Sequence, residues 1–177
     1  MSEGGPRRGD TAAFRSLMSR WATGVSVVTA TDQGHDAGLT VNALLSISLD
    51  PPSVLVSLMR GVDTLPVLER AKVFGVSLLS ASQRHLSERF ARAIPSQEKF
   101  EGVAFRRGTT GVPLLEGSLG TLECRLVSMT EVFDHFLLVG EVLGLELGRE
   151  ESPLLFYRSG YATAEGGDRL QLPPAGR

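Results

Sequence analysis

A single cysteine, Cys124, leaves no partner for an internal disulfide, which suits a reducing compartment. There is no basic excess. Eighteen Lys and Arg face 20 Asp and Glu, for a net charge of -2. Neutralising phosphates along a nucleic acid needs the opposite balance, so no nucleic-acid partner is expected. No apolar run reaches the ~20 residues that cross a bilayer, so no membrane partner is expected either. The opening MSEGGPRRGD is polar and lacks the apolar region of a signal peptide. A cytoplasmic location follows as an expectation.

Chemical motifs are missing too. No G-x-G-x-x-G follows a strand pattern and no P-loop is present, which excludes two common nucleotide-binding folds. No G-x-S-x-G elbow occurs. His35, His85 and His135 lie far apart, with no cluster of ligands around any of them, so no metal is expected. No carboxylate pair stands out for acid–base work. An enzyme with this inventory needs a bound cofactor to carry its chemistry.

What is present describes one domain. A chain of 177 residues can bury roughly two-thirds of its unfolded surface. Residues 1–10 are expected to be a disordered tail, 11–163 the folded domain and 164–177 a flexible tail. The informative stretch is Gly38 to Leu58, GLTVNALLSISLDPPSVLVSL. Small hydrogen-bonding residues recur in it among apolar, β-branched ones. In a strand, alternate residues share a face. Thr40 and Asn42 then point one way; Ser46 and Ser48 line one face; Ser53 and Ser57 share another. Pro51-Pro52 breaks the run into two strands. No Lys, Arg or Glu occurs from Gly38 to Leu49, although water-facing strand positions usually carry them. The pattern predicts a wall of hydroxyls and amides that holds a polar, ring-bearing ligand. Half-buried strands with polar residues facing water account for the alternation equally well.

The rest of the chain supplies the frame. Asp10 or Thr11 caps a helix to about Ala22, with Phe14, Leu17, Met18 and Trp21 as its buried stripe. GVSVVTAT (24–31) is a strand, and Asp32-Gln33-Gly34 turns it back toward Gly38, with His35 and Asp36 facing solvent. Asp63 or Thr64 starts a short helix. VFGVSLL (73–79) is a buried strand. In the helix from about Gln83 to Ala91, Leu86 and Phe90 pack inward, and Ser87 and Arg89 beside the helix start suit an anion. A plain amphipathic helix fits those residues as well. Residues 94–113 show little periodicity and read as a long loop. Cys124, on the apolar face of an alternating strand, reads as a structural thiol. Glu141 falls on an apolar face and needs a partner. Pro153 to Tyr161 reads as a final strand. About seven strands, two or three short helices and no βαβ alternation predict a mostly β, antiparallel split barrel with helical decoration.

The ordered series FRSLMSRWATGVSVVTA, GLTVNALLSISLDPPSVLVSL, FGVSLL, QRHLSERFA, KFEG, PLLEGSLGTLECRL, DHFLLVGEV and PLLFYRSGY resembles the flavin reductase family with the FMN-binding split-barrel fold. It spans roughly Phe14 to Tyr161. The resemblance implies a homodimer that binds FMN or FAD near its subunit interface. NADH or NADPH reduces the flavin by direct hydride transfer, and the reduced flavin passes to a separate flavin-dependent oxygenase. It also implies roles for particular residues. Gly38, Leu39, Thr40, Asn42 and Ala43 match positions that hold the flavin ring and ribityl chain. Ser57, Leu58, Met59, Asp63 and Thr64 match further flavin contacts, and Arg89-Phe90 the phosphate end. His135 and Tyr157-Arg158-Ser159-Gly160 match positions associated with the nicotinamide nucleotide, which makes His135 the catalytic candidate. Many relatives carry Asn-Ser where this chain has Asn42-Ala43, so one flavin hydroxyl is absent here. Ser57 stands where a small residue or cysteine is usual. Alternatives are a flavin- or heme-binding split barrel without reductase activity, a pyridoxamine-phosphate oxidase-like enzyme, and a structural dimer module.

Overall fold

β-branched runs joined by tight turns build the centre of this molecule. A computed structural model describes residues 9–164, and the expected tails up to residue 8 and from residue 165 lie outside the described residues. The chain runs α1 (Thr11–Met18), β1 (Thr23–Gly24), β2 (Ser26–Asp32), β3 (His35–Val41), β4 (Leu44–Leu49), β5 (Pro52–Met59), α2 (Thr64–Ala71) and β6 (Val73–Leu78). A 3-10 turn (Ala81–Gln83) leads into α3 (Arg84–Phe90), α4 (Ser96–Phe100), β7 (Phe105–Arg107) and β8 (Pro113–Leu115). The long strands β9 (Gly120–Val132) and β10 (His135–Leu147) follow, then β11 (Leu154–Tyr157) and β12 (Gly160–Thr163).

Seven strands pair antiparallel in the order β3-β2-β6-β9-β10-β5-β4. β3 comes back into contact with β5, which curls the sheet into a split barrel. A three-stranded sheet, β1-β11-β12, and a two-stranded one, β7-β8, flank it. The β2–β3 hairpin closes in two residues, Gln33 (φ 49) and Gly34 (φ 82), the left-handed pair that a twisted hairpin favours. β2 has a core on each of its faces. Val28 and Ala30 pack with Val56, Leu58, Phe74, Leu138 and the α2 residues Leu65 and Leu68. Val25 and Val27 pack with Leu79, Leu86, Phe90, Phe100 and Leu154. Among the described residues no helix is long and apolar enough to cross a membrane.

Several expectations change. Asp10 caps α1 by accepting from the Ala13 amide (2.9 Å), but the helix ends at Met18 and buries nothing. Phe14, Leu17, Met18 and Trp21 are all exposed, Trp21 at 69%. Helical spacing shows that a stripe shares a face, and it does not show that the same chain covers it. The alternation expected from Ser46 to Leu49 is broken by a bulge between Ser46 and Ser48, so Ile47 is an extra residue and is exposed. The 94–113 segment is no plain loop, because it contains α4 and the β7–β8 hairpin. The final strand is a hairpin, turned by Arg158 (φ 50) and Ser159 (φ 60). Cys124 is fully buried, and burial with the nearby Glu123 charge pushes its thiol up to about 12. Glu141 has the partner it needs, accepting from Arg125 Nη2 at 2.5 Å. Asp36 does not face solvent alone: Arg107 grips it with two bonds, 2.6 and 2.7 Å.

Candidate functional site

β3 ends at Val41 and β5 at Met59, and residues at these two strand ends line a cleft of about 780 Å³. That volume lies in the ordinary range for a small-molecule site. One wall is Leu39 to Asn42, a second is Ser57 to Met59 continuing through Gly61 to Thr64, and the third is Phe90 to Pro95 with Lys99. Nine of the residues singled out from the sequence thus meet: Leu39, Thr40, Asn42, Ser57, Leu58, Met59, Asp63, Thr64 and Phe90. His135 stands next to them, because it opens β10 directly opposite Met59.

Others lie off the cleft. The Gly38 carbonyl sits behind the wall and accepts from Lys99 Nζ at 3.2 Å. A Cβ on Gly38 would lie 2.8 Å from the Phe90 ring, so glycine is required there by helix packing. The Ala43 carbonyl accepts the Ser57 amide (3.1 Å) and extends the β4–β5 ladder. Ser46 and Ser48 belong to β4 and do not line the cleft; the bulge between them places them on opposite faces, and Ser48 bonds the local turn at Asp50. Ser87 is fully buried and pairs with the Tyr161 hydroxyl at 2.8 Å. Arg89 donates to the Glu98 carbonyl (2.7 Å), tying α3 to α4. Tyr157 to Gly160 form the tip of the β11–β12 hairpin, away from the cleft lining. The continuous polar wall read from the sequence is therefore divided among three elements.

Lys99 was not singled out from the sequence. It is 7% exposed, and its ammonium donates to the carbonyls of Gly38 and Phe90. Burial pulls its pKa below the usual lysine value, and the nearby Asp63 carboxylate pushes the other way. α4 is too short to show a helical period, and the one local signal was a lysine beside Phe100, itself a core aromatic. Thr40 carries a second piece of information. Its hydroxyl proton goes to the Ser87 carbonyl (2.7 Å), so toward the cleft Thr40 offers lone pairs.

The His135 edge is also organised. Its Nδ1 lies 2.8 Å from Asp134 Oδ1, which leaves Nε2 as the ring nitrogen to offer a ligand. The hydrogen bond from His135 holds the Asp134 carboxyl below the usual range. Arg60 fixes the hairpin tip: its guanidinium donates to the Phe133 carbonyl (2.5 Å) and pairs with Glu131, and its amide donates to the Asp134 carbonyl (2.8 Å). Among the described residues no group of His, Cys, Asp and Glu is arranged to hold a metal ion.

A family model described as "Flavin reductase like domain" matches residues 18–165. The chain is 39% identical over 149 residues to the reductase component of 4-hydroxyphenylacetate 3-monooxygenase from Thermus thermophilus, covering 84% of this chain and 93% of that protein. It is 38% identical over 153 residues to a flavin reductase from Pseudomonas putida, covering 86% and 89%. Among solved structures, it superposes on an NADH:FAD oxidoreductase of Streptomyces globisporus with a TM-score of 0.85 and 28% identity, over 94% of this chain and all of that one.

Proposed function

Because the chain belongs to the flavin reductase family, we propose that it transfers hydride from NADH to FMN or FAD and delivers the reduced flavin to a separate oxygenase. The observation that carries this is the cleft itself: uncharged polar side chains on two walls and a buried ammonium on the third. Those residues fit a flavin. Leu39, Leu58 and Phe90 give apolar surface for a ring, while Thr40, Asn42 and Ser57 bring hydrogen-bonding groups to its edge. Lys99 and Arg92 supply positive charge on one side, suited to a phosphate or to negative charge gathering on a reduced ring.

A bound flavin supplies the hydride acceptor, so no side chain need become covalent. The protein's share is position and field. Thr40 accepts, because its proton is already given to Ser87. Lys99 is held by two carbonyls, so its charge needs no reorganisation when a negative charge develops nearby. His135, aligned by Asp134 at the rim, orients the nicotinamide nucleotide, and the Tyr157–Gly160 hairpin tip contributes its more distant part.

The working molecule is a homodimer with the flavin near the subunit interface. α1 exposes its whole apolar stripe, and Leu45, Ile47 and Leu49 on the edge strand β4 are exposed as well. Surfaces of that kind mark protein–protein contacts. The function is tested by following NADH and NADPH oxidation with FMN, FAD and riboflavin each added in turn. Flavin-dependent NADH oxidation is expected; no oxidation with any flavin overturns the reading.

A further inference from the structure

We propose that Tyr161 is a positioning residue for the nicotinamide nucleotide: through Ser87, its hydroxyl holds the β11–β12 hairpin in register with the flavin-facing wall. This rests on the flavin reductase reading above. β12 is the edge strand of its sheet, so one side of it lacks a ladder partner. The base of the hairpin is held by Leu154, which is buried, and its tip by the Arg158 amide donating to the Ser19 carbonyl (2.6 Å). Between these, the Tyr161 hydroxyl meets Ser87 Oγ at 2.8 Å. Ser87 is 0% exposed, and its carbonyl accepts the Thr40 hydroxyl at 2.7 Å. Three residues thus form one continuous link from the cleft wall to the hairpin.

The link is selective because Ser87 is dry. A buried hydroxyl without a partner is costly, so the Ser87–Tyr161 pair favours one placement of the hairpin over its neighbours. The Tyr161 ring has packing partners of its own, so Tyr161→Phe removes the hydroxyl link and leaves those contacts available. Phe156 packs edge-on at 5.9 Å and the Arg84 guanidinium lies 5.2 Å from the ring centroid. Tyr161 itself does not line the cleft, so it acts through the hairpin and not by touching flavin.

The test is steady-state kinetics of Tyr161→Phe with saturating flavin, alongside flavin titration and thermal unfolding. The KM for NADH is expected to rise about five- to tenfold, with kcat and the flavin Kd within about twofold of wild type. Ser87→Ala is expected to give the same rise, and the double variant no further one, since both changes cut one link. Ser87→Ala also carries the test should Tyr161→Phe not fold. A lowered melting temperature with an unchanged NADH KM, or a flavin Kd that rises in its place, overturns the proposal. Wild-type protein that oxidises no NADH overturns the flavin reductase reading itself, whereas active wild type with unaltered variants overturns this inference alone.

Discussion

Lys99 concentrates the electrostatics of the cleft in one side chain. Its ammonium is buried, so its proton is held less tightly than in the unfolded chain. The sign of the linkage follows: below its folded pKa the buried charge opposes folding, and that cost is relieved as pH rises through the folded value toward the unfolded one. Lys99→Met is therefore expected to leave the ligand-free protein at least as stable at pH 7. Its flavin affinity should fall about 10- to 100-fold, the equivalent of losing a charged hydrogen bond worth about 1.5–3 kcal/mol. Paired thermal melts and flavin titrations check both halves. A variant that keeps its flavin affinity removes Lys99 from the site. Gly38 shows the opposite kind of ambiguity. The sequence places it beside the ligand, while its backbone lies against Phe90 and Phe100, where any side chain would collide. Nothing in the letters Gly-Leu-Thr separates those two demands.

Short elements depend on particular carboxylates in the same way. The turn between β7 and β8 is folded over Glu123, which accepts the Thr109 amide (3.0 Å), the Thr110 amide (2.8 Å) and the Thr110 hydroxyl (2.7 Å). Desolvation alone would raise this carboxyl's pKa. The bonds from Thr110 and Thr109 outweigh it and hold the group below its ordinary value. Stability from a depressed carboxyl is present above its unfolded pKa and is lost as pH falls through the folded one. Wild type should then lose stability below about pH 4.3, near the unfolded value for Glu. Glu123→Gln should be less stable by about 1–3 kcal/mol at pH 7 and should show a flatter acid limb. Urea unfolding between acidic and neutral pH decides this; parallel profiles for the two proteins would show that Glu123 contributes nothing through its charge. The β2–β3 hairpin and the long strands were legible in the sequence, because Gln33-Gly34 and the alternation through Cys124 are local signals; the β11–β12 hairpin was not. α4 and β7–β8 were not, since elements of five and three residues carry no measurable period.

The largest consequence for the molecule is its uncovered apolar surface. Phe14, Leu17, Met18 and Trp21 lie on α1, Leu45 and Leu49 on β4, and Leu143, Leu145 and Leu147 where β10 runs on past its pairing with β5. A second copy is the simplest cover for such faces, because a two-fold interface lets one patch bury itself. Sedimentation at micromolar concentration should report a dimer for wild type. Leu45→Glu should shift it toward monomer and weaken flavin binding with it. A monomeric wild type, or a variant dimer as tight as the parent, would refute the assignment of β4 to the interface.

Composition, alternation and the ordered run of segments were enough to specify an antiparallel barrel, its β2–β3 turn and the two cleft-lining stretches around Thr40 and Ser57. Those are short-range properties: a turn pair, a period of two, a proline break. The folded chain was needed to bring Lys99 beside the Gly38 carbonyl, to set Ser46 and Ser48 on opposite faces through a bulge, and to bury Ser87 against Tyr161. It was also needed to leave the α1 stripe uncovered. Each of these depends on which distant segment packs opposite, and neither residue type nor spacing along the chain encodes that distance.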